Sequence, residues 1–310
     1  MHKITIPENS SSNCYDSIVY SLLKYHGFDH EAYNIKYFYT DYLSPSENIA
    51  YGIYRGKSHV NILKDIYGVD LVFKDRSEPE NIFETISELL PDRPVGIKIS
   101  PYHCFWSPFY RKAHYTHMLL VVGINSREKK YICFDVHHGS VGYVEVDFDT
   151  INQNHEKYFV FGFKEVKKTE PALAMEAIRC SLDNFDDNLD RKKAGMFDYF
   201  AKNDRGAIFP KNLDTSIPLI NLTWIAEDKR HFPIALRYIE SKIDSSVFTP
   251  IYDLLAVSGQ KFLHLKTILI KYAISGVLGE DYLKKIIDQI FDTDALIVAQ
   301  LRNIMGDVYK

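Results

Sequence analysis

His117-Met118-Leu119-Leu120-Val121-Val122-Gly123-Ile124-Asn125, then Tyr131-Ile132-Cys133-Phe134-Asp135 beyond a polar turn, is the stretch on which the fold turns. Both runs are rich in β-branched and aromatic residues and are bounded by polar segments, which predicts two strands joined through Asn125–Lys130. His138-Gly139-Ser140 supplies the next turn, and Val141–Val146 and Tyr158–Phe163 follow as two more strand-like runs. Their spacing predicts four consecutive strands of a meander. Upstream, Val69–Lys74 and Val95–Ile99 have the same character, and the chain opens on a helical pattern.

Past Thr169-Glu170-Pro171 the period changes. Ala172–Leu182, Arg230–Lys242, Thr249–Val257, Phe262–Ile274, Glu280–Phe291 and Thr293–Met305 carry apolar residues at three- and four-residue steps, which predicts helices. Pro171 suits a helix N-terminus, and Gly276 and Gly279 punctuate a break. The sequence therefore predicts an α+β chain. Residues 1–169 would form a mixed domain, with a helix on an antiparallel sheet, and 170–310 an all-α domain.

Composition narrows the function classes. At 310 residues there is enough chain for two ordinary domains. With 46% hydrophobic and 25% charged residues it resembles a folded globular protein rather than a disordered one. A net charge of −4 argues against a broad phosphate-binding surface, so no nucleic-acid partner is expected. The apolar runs are short, and Phe262–Leu278 carries His264, Lys266 and Lys271, so no membrane span is expected either. The N-terminal residues lack the continuous apolar stretch of a secretory signal. Cys14, Cys104, Cys133 and Cys180 show no C-x-x-C spacing, which points away from a zinc ribbon or a disulfide framework. A cytoplasmic protein with free thiols, no metal and no cofactor is the expectation.

The chemistry-bearing segment is Ser10-Ser11-Ser12-Asn13-Cys14-Tyr15-Asp16. Tyr15, Ile18, Val19, Leu22 and Leu23 repeat at helical spacing, Gly27 suits a C-terminal stop, and Asn13 or a preceding serine would cap the first turn. Cys14 would then sit at a helix N-terminus, where the dipole favours thiolate, with Asp16 opposing it. A nucleophilic cysteine needs a base, and the base an orienting partner. His117 heads one strand and Asp135 ends the next, so a hairpin would set them side by side. The chain order Cys–His–Asp, with Cys on a helix and the other two on neighbouring strands, is the papain-type layout.

Other candidates are weighed beside these. His114, three residues before His117, is an alternative base; in a strand the two would face opposite sides, so only one can address Cys14. His137-His138 reads as a pair of turn histidines rather than a metal site. Cys104 lies in an aromatic-rich loop beside Trp106, without a helix dipole, and Cys133 reads as core. Gly52 and Gly56 punctuate a loop over 44–57 that lacks the phosphate-binding pattern. The acidic run Asp183–Asp190 lacks the central Gly and closing Glu of a calcium loop.

The combination N-C-Y-D-S-I-V-Y-S-L-L-K-Y-H-G from Asn13 and H-M-L-L-V-V-G-I-N…Y-I-C-F-D from His117 resembles papain-like domains of the bacteriocin leader-peptidase type. More narrowly, it is similar to the N-terminal domain of butirosin biosynthesis protein H and its relatives, acyltransferase-like proteins of natural-product pathways. The resemblance covers residues 10–165. It implies Cys14 as nucleophile, His117 as general base and acid, and Asp135 as the residue orienting the ring. Papain-like peptidases place a Gln about six residues before the Cys for the oxyanion hole; here that stretch reads Glu8-Asn9-Ser10, leaving Asn9 or Asn13 as side-chain donors. Relatives often carry His directly before the Cys, where this chain has Asn13. The implied reaction is acyl transfer through an acyl-Cys14 intermediate, from a donor such as a carrier protein's phosphopantetheine thioester to a small-molecule amine. The alternatives are a cysteine hydrolase or peptidase using water, and a catalytically silent accessory or binding module.

Overall fold

In the computed structural model, which describes residues 1–6, 14–37, 55–75, 81–137, 140–163, 170–183, 189–202, 205–209, 213 and 216–308, every strand-like run forms a strand. These are β1 (Val69–Asp75), β2 (Val95–Ile99), β3 (His117–Asn125), β4 (Lys130–His137), β5 (Ser140–Asp147) and β6 (His155–Phe163). Helices α1 (Cys14–Tyr25), α2 (Arg55–Tyr67), α3 (Ile82–Leu89) and α4 (Phe148–Asn154) lie before or among them. The C-terminal part is mostly helical: α5 (Pro171–Asp183), α6 (Leu189–Lys202), α7 (Arg205–Ile208), α8 (Ile217–Ile243), α9 (Thr249–Ser275) and α10 (Glu280–Val308). The described chain is thus α+β. It divides into two compact units, one made of Met1–His30 with Tyr67–Lys168, the other of Glu31–Ile66 with Thr169–Lys310. Glu31–Ile66, which the sequence reading assigned to the first domain, belongs to the second unit.

The six strands form one antiparallel sheet in the order β1-β6-β2-β3-β4-β5. Only the first three strands of the expected four-strand meander, β3, β4 and β5, are consecutive neighbours. The fourth, β6, pairs with β1 and β2 instead. The cause is α4, a helix the sequence reading missed: it packs on β5 and α3, buries Ile151, and returns the chain from the sheet edge. Flanked on both sides, β6 buries Phe159 and Phe161. Gly96 of β2 makes room for this arrangement, since a Cβ there would collide with the Phe159 ring.

Alternation along the strands builds the core. Val95, Ile97 and Ile99 of β2, Leu119 and Val121 of β3, and Tyr131 and Cys133 of β4 join Ile82 and Ile86 of α3 and Ile151 of α4 in one buried cluster. Helix α1 packs against β3 and β4, and every residue from Asp16 to Leu23 is buried. A helix enclosed on all sides must satisfy its own polar groups, and Ser21 Oγ does so by donating to Ser17 O at 2.7 Å. The N-terminal residues are fastened to the same sheet. His2 N donates to Val122 O at 2.8 Å, and the Tyr143 hydroxyl accepts from Ile4 N at 2.7 Å and donates to Ile4 O at 2.8 Å.

In the second unit the periodicity was right in kind and short in extent. The expected pairs 249–257 with 262–274, and 280–291 with 293–305, are the single long helices α9 and α10. Gly259, between the two expected helices, is buried inside α9, where a Cβ would come within 3.2 Å of Ala226 O on α8. Here glycine serves close helix approach, not termination. Helix α6 was not anticipated, and Gly56, expected in a loop, lies in α2. Residues 44–54 and 184–188 and His138 fall outside the described residues.

Candidate active site

Cys14 is the first residue of α1 and is half-buried; His117 is the first residue of β3 and fully buried. His117 Nε2 lies 2.9 Å from Asp135 Oδ1 and 3.0 Å from Oδ2, and the carboxylate is 4% exposed. The imidazole is also coupled electrostatically to Cys14. With Nε2 committed to Asp135, a proton exchanged with the thiol would use Nδ1. The structure thus brings His117 and Asp135 together by hydrogen bonds and couples the imidazole electrostatically to Cys14.

Burial of the ring alone would lower the His117 pKa. The hydrogen bonds to Asp135, the interaction with Cys14 and the negative charge of both groups outweigh it and raise the pKa from the ordinary 6.5 to about 10. The site thus favours an imidazolium bracketed by two groups that carry negative charge when ionised.

Asp135 has a further partner that the sequence did not reveal. Trp106 Nε1 donates to Asp135 Oδ2 at 2.5 Å, so the carboxylate is held from two sides. Trp106 sits in the segment between β2 and β3, which folds back on itself through Arg111 N to Tyr102 O at 3.1 Å. No periodic signal marks such a contact; the one available cue was an indole N–H in an aromatic-rich loop beside the strand carrying the histidine.

His114 belongs to this loop, outside β3. Its ring stacks on Tyr102 with centroids 4.0 Å apart, and Nδ1 lies 3.2 Å from Ser100 Oγ. The imidazole whose charge state is coupled to Cys14 is that of His117. Cys104 and Cys133 are fully buried, and burial, reinforced by the charge of Asp135, pushes both thiols well above their ordinary pKa. Cys180, on α5, is half-buried and donates to Glu176 Oε1 at 3.4 Å. Asn9 and Asn13, the expected oxyanion donors, lie outside the described residues. Among the described residues no group of three His, Cys, Asp or Glu side chains is placed to hold a metal ion, and no helix is long and apolar enough to cross a membrane.

Chemically, a cysteine coupled to an imidazole that is itself held by a carboxylate has the parts for nucleophilic attack on a carbonyl: a sulfur to attack, a nitrogen to shuttle the proton, and a group that fixes the ring. No protein-family model matches the chain, and no curated protein matches it in sequence.

Proposed function

We propose that this chain is a cysteine acyltransferase with a papain-like catalytic domain, in which Cys14, His117 and Asp135 act as nucleophile, proton shuttle and orienting group. The observation that carries the reading is the buried His117 ring, hydrogen-bonded to Asp135 and electrostatically coupled to Cys14 at the start of α1. His117 enters as the imidazolium, with the thiol's proton already on Nδ1, and the Cys14 sulfur attacks the acyl carbonyl. His117 then returns the proton to the leaving group as the tetrahedral intermediate collapses to an acyl-cysteine. An incoming amine gives its proton to His117, attacks the acyl-cysteine and releases the Cys14 thiol. Asp135 stabilises the imidazolium formed in each half-reaction.

The similarity of the Asn13–Gly27 and His117–Asp135 segments to acyltransferase-like papain domains supports a carrier-protein thioester as donor and a small-molecule amine as acceptor. Water in place of the amine would make the same machinery a hydrolase. The test is to treat the protein with iodoacetamide near neutral pH and identify the first alkylated cysteine by mass spectrometry, then to incubate it with an acyl thioester. The reading expects Cys14 in both cases, while Cys104 and Cys133 stay unmodified because they are buried. Preferential labelling of another cysteine, or a Cys14→Ala protein with undiminished turnover, would remove the acyl-enzyme and leave a papain-like binding module.

A further inference from the structure

A buried carbonyl at an irregularity in a sheet needs a donor from elsewhere in the chain. Val122 is such a residue. Val121 of β3 opposes Cys133 of β4 and Gly123 opposes Ile132, so Val122 is inserted between them, and it is fully buried. On the other flank of β3, Val121 faces Val95. The same register continued by one residue sets Pro94 opposite Val122, and proline has no N–H to give. His2 supplies one, its backbone N–H donating to Val122 O at 2.8 Å.

We propose that His2 is a positioning residue for the candidate triad: its backbone N–H holds the β3 bulge that turns His117 toward Asp135, and its ring ties that strand to the helix carrying Cys14. A one-residue slip exchanges the two faces of a strand, so the inserted Val122 decides that His117 shares the face of Asp135.

The ring of His2 is fixed at both nitrogens. Nε2 lies 2.6 Å from Leu90 O, a carbonyl that only accepts, so Nε2 carries a proton. In the neutral ring Nδ1 then accepts from the Tyr25 hydroxyl, 2.6 Å away. Tyr25 closes α1, the helix that opens with Cys14. Two residues on, Ile4 bonds the Tyr143 hydroxyl of β5 through both its N–H and its carbonyl. Gly123, next to the bulge, lets the segment approach, since a Cβ there would come within 3.2 Å of Met1 Cγ. One residue thus grips the cysteine's helix with its ring and the histidine's strand with its backbone.

The test reads the His117–Asp135 pair itself, on the full chain with labelled imidazoles. NMR titration gives the pH at which the His117 ring loses its proton, about 10 where Asp135 holds it. His2→Pro deletes both the N–H and the ring, and the titration should move down by about 1–3 pH units, the effect of an opposite charge drawn away. Acylation of Cys14 by p-nitrophenyl acetate should slow on the order of 10–100-fold, part of what a positioned base contributes. A merely structural role would lower the unfolding midpoint and leave the titration where it is. That result, in a folded His2→Pro protein, overturns the proposal. If His2→Pro does not fold, His2→Ala takes its place, because it keeps the N–H and loses both ring anchors. A downward move again supports the proposal, and an unmoved titration overturns it. The effect on turnover rests on the acyl-transfer reading, whereas the titration does not. A titration that moves while wild type forms no acetyl-Cys14 removes that reading and keeps His2 as the residue that sets the pair.

Discussion

His117 and Asp135 share a face of the sheet because β3 contains a bulge. On the turn side Asn125 opposes Lys130 and Gly123 opposes Ile132; beyond the slip at Val122, Val121 opposes Cys133 and Leu120 opposes Phe134. On the second register Leu119 stands opposite Asp135, and His117, two residues further, points the same way. Had the hairpin run unbroken from its turn, Leu120 would oppose Asp135 and His117 would face the other side. One extra residue therefore decides whether the imidazole can find its carboxylate.

The His117–Asp135 contact makes the pH dependence predictable. A pKa raised to about 10 keeps His117 protonated, and so able to act as the general acid, until the pH approaches that value. The rate of Cys14 acylation should therefore have a basic limb near pH 10. Asp135→Asn removes the carboxylate charge, one of the causes raising the pKa, so the limb should move to lower pH. The rate at neutral pH should also fall, by less than the order of 10²–10⁴-fold expected for loss of the histidine itself. A limb unchanged in Asp135→Asn would show that some other group sets it.

Stability should follow the same linkage. Because the folded-state pKa is raised, the stabilisation is complete below 6.5 and is lost as pH rises through about 10. Urea unfolding should therefore show wild type exceeding Asp135→Asn by more at pH 6 than at pH 10.5. A gap that widens with pH contradicts the assignment of the raised pKa to this pair.

Trp106 should behave as part of the site although it cannot exchange protons. Trp106→Phe keeps an aromatic ring and deletes the N–H held 2.5 Å from Asp135 Oδ2. Hydrogen bonds to charged groups contribute about 1.5–3 kcal/mol. At about 2–4 °C per kcal/mol for a domain of this size class, the thermal midpoint should fall by several degrees. Acylation should slow as well, because Asp135 is then positioned from one side only. An unchanged midpoint together with an unchanged rate would make the contact incidental.

What was readable from the residues follows from what is periodic. All six strands and the Cys14, His117 and Asp135 set were visible because helical spacing placed the first and strand patterning the other two. The bulge at Val122 was not, since it changes pairing without changing composition. Nor was the destination of β6, since antiparallel neighbours cannot be told from strand runs alone once a helix such as α4 intervenes. Trp106 was visible only as part of an aromatic loop, because a contact from a non-repeating segment leaves no spacing to read.

Gly259 is a place where local preference and packing disagree. In isolation Gly259→Ala would favour the helix by up to about 1 kcal/mol. In the bundle the new Cβ would lie 3.2 Å from Ala226 O and 3.4 Å from Lys229 Cβ, tighter than an ordinary contact. The added methyl should force α8 and α9 apart, so the net change should be destabilising, by about 1–3 kcal/mol. A chemical-denaturation midpoint above wild type would mean that the helices accommodate the methyl.

The buried pair Lys229–Asp294 ties α8 to α10, with Nζ 3.0 Å from Oδ1 and side chains 8% and 5% exposed. Ser258 of α9 donates to the same oxygen at 2.6 Å, so one carboxylate joins three helices. Taking both charges out of water costs several kcal/mol per ion, and their attraction at this distance offsets much of it. The two halves of the pair therefore predict opposite outcomes. Asp294→Ala strips a buried ammonium of its carboxylate and should destabilise by about 3–5 kcal/mol, read by urea unfolding. Replacing both, as Lys229→Met with Asp294→Leu, removes the desolvation cost together with the attraction, and should recover most of that loss. If the double variant is as unstable as Asp294→Ala, the penalty arises from lost shape in the bundle and not from an orphaned charge.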